Sequence, residues 1–326
     1  MNIIEGKAYK DKYTKLLVNK IGKGCIAVIR HWRLDITAAQ ELKHCSVKAI
    51  INCEMPSEGS GISEGMCYAL KSGIGIYNVL NGSFFDVVND GDIVKIDGNL
   101  IYINGRYCTN CIPVSFNAAK CEYSQSEKNS FMLNTIDHMR SELKFFLCNT
   151  DLPDIKLDMK NRDVLIISRG RGYIEDFTAV KSFVLDNNLI IVGVDGGANA
   201  VFDAGMACDI IIGDMDSVSD KSLKNCREIL VHSYMDGYAP GVIRMEKLGI
   251  GYRLIRVMGT SEDAAILMCK QKGASTIYLV GGHIGIEEFM EKGRDGMGST
   301  AILRMLYGSS IIDLKGISRL IKCPNI

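Results

Sequence analysis

Two aspartates one residue apart, Asp214 and Asp216, follow a glycine and a short apolar run at residues 210–212. The run predicts a buried strand, and in a parallel α/β sheet the end of such a strand faces the ligand crevice. Two carboxylates held this close repel each other unless a cation or a donor lies between them, so the pair predicts a site for a divalent metal. The alternative is that Asp214 caps the next helix and that Asp216 is a solvated turn residue.

Other predicted strands end in turns whose residue types suit phosphate binding. Glycines let the backbone approach a ligand closely, and N–H groups at a helix start bind phosphoryl oxygens, as guanidinium groups do. Because the carboxyl ends of parallel strands meet at one edge, we expect these turns to form one crevice. The predicted residues for binding a phosphate-bearing ligand are Arg169, Arg171, Asp195, Gly196, Gly197, Ser217, Gly281, Gly282 and His283.

A third acid, Asp263, follows a further predicted strand and completes the predicted metal set of Asp214, Asp216 and Asp263. Its alternative role is structural, because Glu262 and Asp263 stand at a predicted helix start, where acids face the positive end of the helix dipole. The alternative for His283 is a loop histidine held by hydrogen bonds.

The elements that must position these residues alternate between strand and helix. This alternation predicts a doubly wound, mainly parallel sheet of about six strands. The predicted strands are residues 164–168, 189–194, 210–212, 229–232, 252–257 and 276–280.

The first part of the chain predicts a separate small α/β domain. Residues 25–29 and 47–51 are predicted strands around a helix at 35–44, and residues 90–105 alternate around an Asp-Gly-Asn turn, which predicts a β-hairpin. A hairpin after small α/β units resembles the swivelling β/β/α domains of phosphotransfer enzymes, and this likeness concerns the fold alone.

A long helix is predicted between the two domains, from residue 124 to residue 149. Its apolar residues have heptad spacing, which favours packing between the domains or, as the alternative, a homodimer through residues 132–146. The predicted domains are 1–122, a linker helix at 123–160, and 161–326. The heptad residues are Met132, Ile136, Met139, Leu143 and Phe146.

The composition excludes several classes of protein. The 38 basic residues equal the 38 acidic ones, so no overall field favours nucleic acid or an anionic bilayer. Glycine is abundant, at 33 residues, and proline is scarce, at 5, as expected for an α/β fold with many turns. The 12 cysteines are irregularly spaced behind a charged N-terminal segment, which predicts free thiols in a reducing cytoplasm.

The turn at 195–199 and the stretch at 212–218 together resemble two motifs of thiamin pyrophosphokinases, an ADGGAN-like turn and a GDFDS-like acid motif. That family uses Mg²⁺ to transfer a diphosphate from ATP to thiamin, and its acid motif holds the metal. The resemblance implies the same fold for the second domain, with ATP or another nucleotide as ligand. The family's further D-x-T-D motif is altered here, because Thr260 replaces its first acid and only Asp263 matches its last.

A resemblance over nearly the whole chain is to the SteA-like family of cytokinetic proteins. It rests on residues 213–220, 234–241, 259–263, 292–300 and 315–320. It implies a role in cell division or the envelope, a membrane-associated division partner, and tethering to the inner face of the membrane by a C-terminal helix beyond this sequence. The alternative to a metal-nucleotide site is a non-catalytic scaffold that retains a vestigial kinase crevice.

Overall fold

The computed structural model describes residues 3–12, 14–30, 34–54, 62–79, 82–115, 123, 125–148 and 152–321. The chain divides into two compact units. The first comprises Met1–Glu127 with Glu291–Gly293, and the second comprises Lys128–Met290 with Arg294–Ile326. No helix in the described ranges is both long enough and apolar enough to cross a bilayer.

The N-terminal unit is built on seven strands that close into a barrel in the order β1-β2-β3-β4-β7-β6-β5. The first four strands run parallel to one another, and the remaining three pair antiparallel. The strands are β1 Ile4–Asp11, β2 Ile26–Ile29, β3 Ala49–Asn52, β4 Gly75–Val79, β5 Ile93–Asp97, β6 Leu100–Ile103 and β7 Arg106–Pro113. The helices are α1 Thr14–Lys20, α2 Ile36–His44, α3 Glu64–Lys71 and α4 Phe84–Val87.

The local predictions for this unit are confirmed. Helix α2 begins after Asp35, whose side chain accepts the N–H of Ala38 at 2.8 Å, a standard N-cap. Strands β5 and β6 form the predicted antiparallel hairpin, with Gly98 in the left-handed region at its turn.

Helix α5, Gln125–Leu147, buries a face that overlaps the predicted heptad only in part. Phe131, Thr135 and Phe146 are its buried residues, whereas Met132 and Ile136 are 47% and 49% exposed. At 3.6 residues per turn, Phe131 and Thr135 lie about a quarter of a turn from Met132 and Ile136 around the helix axis. The predicted heptad face is therefore divided. Its members Met139 and Phe146 pack in the core of the C-terminal unit, and Met132, Ile136 and Leu143 remain exposed.

The C-terminal unit contains a seven-stranded, fully parallel sheet in the order β12-β11-β10-β9-β8-β13-β14. The strands are β8 Val164–Ile167, β9 Ile190–Val194, β10 Ile210–Gly213, β11 Glu228–Ser233, β12 Arg253–Arg256, β13 Ile277–Val280 and β14 Ile311–Asp313. The helices are α6 Tyr173–Asp186, α7 Gly197–Asp203, α8 Asp220–Lys224, α9 Gly241–Leu248, α10 Ser261–Gln271, α11 Ile286–Glu291 and α12 Gly298–Tyr307. The parallel α/β prediction is confirmed, and the count of six strands was wrong by one, because β14 was not predicted.

Alternate residues of the strands face two separate cores. Ile166, Val192 and Ile212 pack with α10 and α12 on one face. Leu165 and Ile211 pack on the other face, against α6, α7, α8 and α9. The strand order reverses beside β8, because β9 lies on one side of it and β13 on the other. This reversal is the topological switch point at which α/β sheets bind ligands, and it lies at the carboxyl edge of the strands.

Candidate functional site

Glycines let three loops at the carboxyl edge touch backbone to backbone. A Cβ on Gly197 would overlap the carbonyl oxygen of Ile167 at the end of β8. A Cβ on Gly170 would overlap the carbonyl oxygen of Gly281, and Gly281 itself lies against Ser168 with φ at +64°. The loops after β8, β9 and β13 are therefore packed together, and larger residues at these positions would separate them.

The Asp195 turn, residues 195–197, contacts the end of the neighbouring strand β10. Asp195 has a φ of +46°, which is uncommon for a residue other than glycine, and its N–H donates to the carbonyl of Ile212 at 2.9 Å. A Cβ on Gly213 would overlap the carboxylate of Asp195. This carboxylate thus lies over the residue that immediately precedes Asp214.

Arg169, Gly196 and Ser217 meet at the same place. The N–H of Gly196 donates to Ser217 Oγ at 2.9 Å. A Cβ on Gly196 would come within 2.9 Å of Arg169 Cδ and 3.1 Å of Arg169 Nη1. The structure therefore brings these three predicted residues together, while Arg171 is exposed in the same loop as Arg169.

The acid turn, residues 214–218, presents its two carboxylates around a buried methionine. Met215 is fully buried at a φ of +63°, and the N–H of Asp216 donates to Asp214 Oδ1 at 3.0 Å. Asp214 is half-buried and Asp216 is exposed. Two left-handed residues other than glycine, Asp195 and Met215, thus occur in adjacent turns, and strain of this kind is concentrated at functional sites.

Two residues from other elements hold the acid turn in place. The side chain of Asn199 donates to the carbonyl of Ser217 at 2.9 Å and accepts the N–H of Ser219 at 2.8 Å. On α9, the guanidinium of Arg244 donates to the carbonyls of Met215 and of Val218, the latter at 2.7 Å. Asn199 belongs to the Asp195 motif, but nothing in the sequence pattern marks Arg244, so sequence reasoning missed it.

Asp263 has a structural role, and it does not join Asp214 and Asp216. Within the described residues, no group of three or more His, Cys, Asp or Glu side chains is arranged to hold a metal ion. Asp263 is fully buried and forms a capping box with Thr260, the N-cap of α10. Its carboxylate also accepts hydrogen bonds from the hydroxyls of Ser299 and Thr300, each at 2.9 Å. Because its oxygens serve these donors two strands away from β10, the prediction of a three-acid metal set fails, and the Asp214–Asp216 pair is the remaining candidate.

His283 belongs to a second group of side chains, at the switch point. Its N–H and its ring Nδ1 both lie 3.2 Å from Glu262 Oε2. The opposite oxygen of Glu262 is 3.7 Å from Arg304 Nη2, which is also 3.6 Å from Asp313. We name Glu262, His283 and Arg304 the switch-point cluster. Gly281 and Gly282 are buried beside it, and Gly281 links it to the loop after β8.

The switch-point cluster sets the ionisation of Glu262. Burial alone would raise the pKa of Glu262, but the hydrogen bond and charge of His283, together with the charge of Arg304, bring this pKa below its ordinary value. For the neighbouring Asp263, burial dominates and raises the pKa. Sequence reasoning missed the roles of Glu262 and Arg304, because their pairing depends on contacts distant in sequence.

Comparison with known proteins finds one family in the C-terminal unit. The family model of the thiamin pyrophosphokinase catalytic domain matches residues 182–237. The matched segment includes the Asp195 turn and the acid turn, and it ends before Asp263 and His283. The match supports a kinase-related C-terminal domain. No curated protein matches the chain.

Solved structures show weak likenesses. The 3-isopropylmalate dehydratase of Methanocaldococcus jannaschii is 16% identical, with 44% of this chain and 99% of that chain covered and a TM-score of 0.24. The D-lactate dehydrogenases of Escherichia coli and Salmonella are each 12% identical, with 97% of this chain and 88% of theirs covered, at TM-scores of 0.15 and 0.17. TM-scores this low carry no argument about fold or function.

Proposed function

We propose that the C-terminal unit binds a nucleotide or another diphosphate ligand together with Mg²⁺ at the carboxyl edge of its sheet. One observation carries the proposal: Arg169, Gly196 and Ser217 meet beside the acid turn, so groups for phosphate and groups for a cation are adjacent. This edge is where doubly wound sheets bind ligands. The kinase-related match over residues 182–237 includes both turns.

The acid turn suits Mg²⁺ by the chemistry of its donors. Mg²⁺ prefers hard oxygen ligands and usually takes one or two protein carboxylates, with phosphate oxygens and waters in the remaining positions. Asp214 and Asp216 supply two carboxylates at an accessible turn. In such a site the ion neutralises charge on the phosphoryl oxygens.

The phosphates would lie against the Asp195 turn and the loop after β8. The guanidinium of Arg169 is suited to phosphoryl oxygens, and Gly196 and Gly197 let a ligand approach the backbone closely, with Arg171 at the exposed rim. The contact of Asp195 with Gly213 fixes the Asp195 turn against the end of β10. Gly281, Gly282 and His283 lie on the far side of β8 and would border the phosphate end of the ligand.

The kinase-related match also supports phosphoryl or diphosphoryl transfer from ATP as the reaction class. In such transfers the protein mainly positions the reactants and stabilises the charge of the transition state. The residues described here would contribute this positioning: Arg169 holds the phosphate chain, and Arg244 and Asn199 keep the acid turn rigid.

The test is calorimetry with ATP, ADP and pyrophosphate, each with and without Mg²⁺. We expect the wild type to bind Mg²⁺-nucleotide, and we expect Asp214→Asn and Asp216→Asn to lose most of the Mg²⁺-dependent affinity. Asp186→Asn is the matched control, because Asp186 is an exposed acid at the end of α6, on the opposite edge of the sheet. The proposal is rejected if the wild type binds none of the three ligands in either condition.

A second candidate function is a non-catalytic scaffold. It is favoured by the internal role of Asp263, which removes this residue from the predicted metal set, and by the exposed Met132, Ile136 and Leu143 on α5. A homodimer through this face is tested by mass measurement over a dilution series. We expect a dimer that Ile136→Glu dissociates, and a wild type that is monomeric at high concentration excludes the dimer.

The cellular role that we propose is the SteA-like one, in cell division or the envelope beside a membrane-associated division partner. Its support is the sequence resemblance described above. Fluorescence microscopy of the tagged protein in dividing cells tests it, and a uniform distribution throughout the division cycle would count against it.

A further inference from the structure

A short loop after β11 exposes two aromatic rings. The tyrosine loop, residues 234–241, is closed by hydrogen bonds from the N–H of Tyr234 to the carbonyl of Tyr238, at 2.8 Å, and from the N–H of Gly237 to the carbonyl of Tyr234, at 2.9 Å. Asp236 accepts the N–H of Tyr238 at 2.9 Å, and Gly237 has a φ of +90°. The loop is thus a tight turn with its own internal bonding.

The two rings are parallel and largely open to solvent. The planes of Tyr234 and Tyr238 differ by 3°, and their centroids are 6.0 Å apart. The side chains are 63% and 60% exposed. Tyr107, another exposed tyrosine among the described residues, contacts Tyr102 edge-on, at 78°. A parallel pair presents flat faces, which is the geometry that stacks against a planar heterocycle.

The tyrosine loop begins and ends beside the acid turn. The register of β10 and β11 pairs Gly213 with Val231, so Asp214 and Tyr234 leave neighbouring strands at the same edge. At the other end of the loop, a Cβ on Gly241 would come within 2.6 Å of the carbonyl oxygen of Asp214. A ligand whose phosphates lie beside the acid turn therefore has the tyrosine loop as a neighbour.

We propose that Tyr234 and Tyr238 form a stacking platform for the base of a nucleotide whose phosphates lie against the Asp195 turn, beside the acid turn. The inference rests on the proposed function and narrows its ligand class to nucleoside diphosphates and triphosphates. Stacking uses the π-face that every base has, so the platform accepts purines and pyrimidines with modest preference. Loss of one stacking partner is expected to weaken binding about 5- to 150-fold.

The test compares Mg²⁺-ADP with Mg²⁺-pyrophosphate by calorimetry on the wild type, Tyr234→Ala, Tyr238→Ala and the two phenylalanine variants. We expect each alanine variant to bind ADP at least about 5-fold more weakly and pyrophosphate as the wild type does. The phenylalanine variants keep the ring face and should bind both ligands normally. Tyr107→Ala, which removes an exposed tyrosine of the N-terminal unit, is the control.

The outcomes separate this inference from the proposal on which it rests. If the wild type binds pyrophosphate and ADP equally well, or if both alanine variants bind ADP normally, the stacking platform is refuted and the diphosphate site stands. If the wild type binds neither ligand, the proposed function fails and the platform fails with it.

Discussion

The carboxylate of Asp195 occupies the space that a side chain at Gly213 would need. This contact joins the turn that we propose for phosphate to the turn that we propose for the metal, and it connects neighbouring strands of one sheet. Because Gly213 has a φ of +154° and Asp195 has one of +46°, both turns are held in uncommon backbone conformations by their mutual packing.

We predict that Gly213→Ala lowers both stability and Mg²⁺-nucleotide affinity. The added Cβ must displace Asp195 and also strains the backbone, at a cost of about 1–3 kcal/mol in the free energy of unfolding. Urea denaturation and calorimetry measure the two effects. Gly205→Ala is the matched control, because Gly205 has a φ of +76° and no atom lies within 4 Å of its Cβ position, so only backbone strain changes. Equal effects of the two substitutions would contradict the role of the Asp195 contact.

Arg244 should stabilise the acid turn from α9. Removing its guanidinium in Arg244→Ala leaves the carbonyls of Met215 and Val218 without this donor, and we expect a loss of about 1–3 kcal/mol in unfolding free energy. Mg²⁺-nucleotide affinity should fall as well, because the acid turn loses the hydrogen bonds from Arg244 that hold it in place. Lys247→Ala, an exposed cation of the same helix, should change neither quantity. An Arg244→Ala variant with wild-type stability and affinity would show that the acid turn keeps its conformation without Arg244.

The sequence predicted those features of the fold that depend on local pattern. Most of the six predicted strands are nearly continuous apolar runs, although residues 252–257 include Arg253 and Arg256, and the hairpin at 90–105 has a turn of the expected type. Strand β14 has only three residues, none of them fully buried, and it forms by pairing with β13, which no local pattern reports. The apolar residues of α5 cover more of the helix surface than the face that packs in the core. The heptad pattern picked out only some of these residues, and not all of those are buried.

The candidate site was predictable where one motif supplies both the groups and their positions. The turns at 195–197 and 214–217 were found because glycines and acids there follow strands directly. Arg244 was missed because it acts on carbonyl oxygens, which no sequence pattern displays. Asp263 was misassigned because a capping-box acid and a metal-binding acid look the same after a strand, and only the donors around it decide between them.

The switch-point cluster should make stability depend on pH in the acid range. The folded-state pKa of Glu262 lies below its ordinary value of 4.5, so its contribution is present above that value and is lost as the pH falls through the folded-state pKa. Glu262→Gln should therefore be less stable than the wild type near pH 7, and the difference should shrink as the pH falls below about 4.

Urea denaturation from pH 3 to pH 7 measures this difference. The charge of Glu262 also raises the pKa of Asp263, because the two carboxylates repel each other. Glu262→Gln removes this repulsion, so part of the stability that the variant loses is regained where both groups would be ionised. Glu175→Gln, at an exposed position on α6, is the control. A stability difference that stays constant from pH 3 to pH 7 would mean that the Glu262 charge is not the cause.

Asp263→Ala distinguishes a structural acid from a metal ligand. The substitution leaves the N–H of Thr260 and the hydroxyls of Ser299 and Thr300 without their shared acceptor inside a fully buried site, so we expect unfolding free energy to fall by about 2–4 kcal/mol. Mg²⁺ affinity of the protein that remains folded should be retained.

Asp216→Asn should show the reverse, with affinity lost and stability nearly unchanged, because Asp216 is exposed. Calorimetric titration with Mg²⁺ at a temperature well below the unfolding transition, paired with urea denaturation, measures both quantities. Loss of Mg²⁺ binding in folded Asp263→Ala would contradict the structural role and identify Asp263 as a metal ligand.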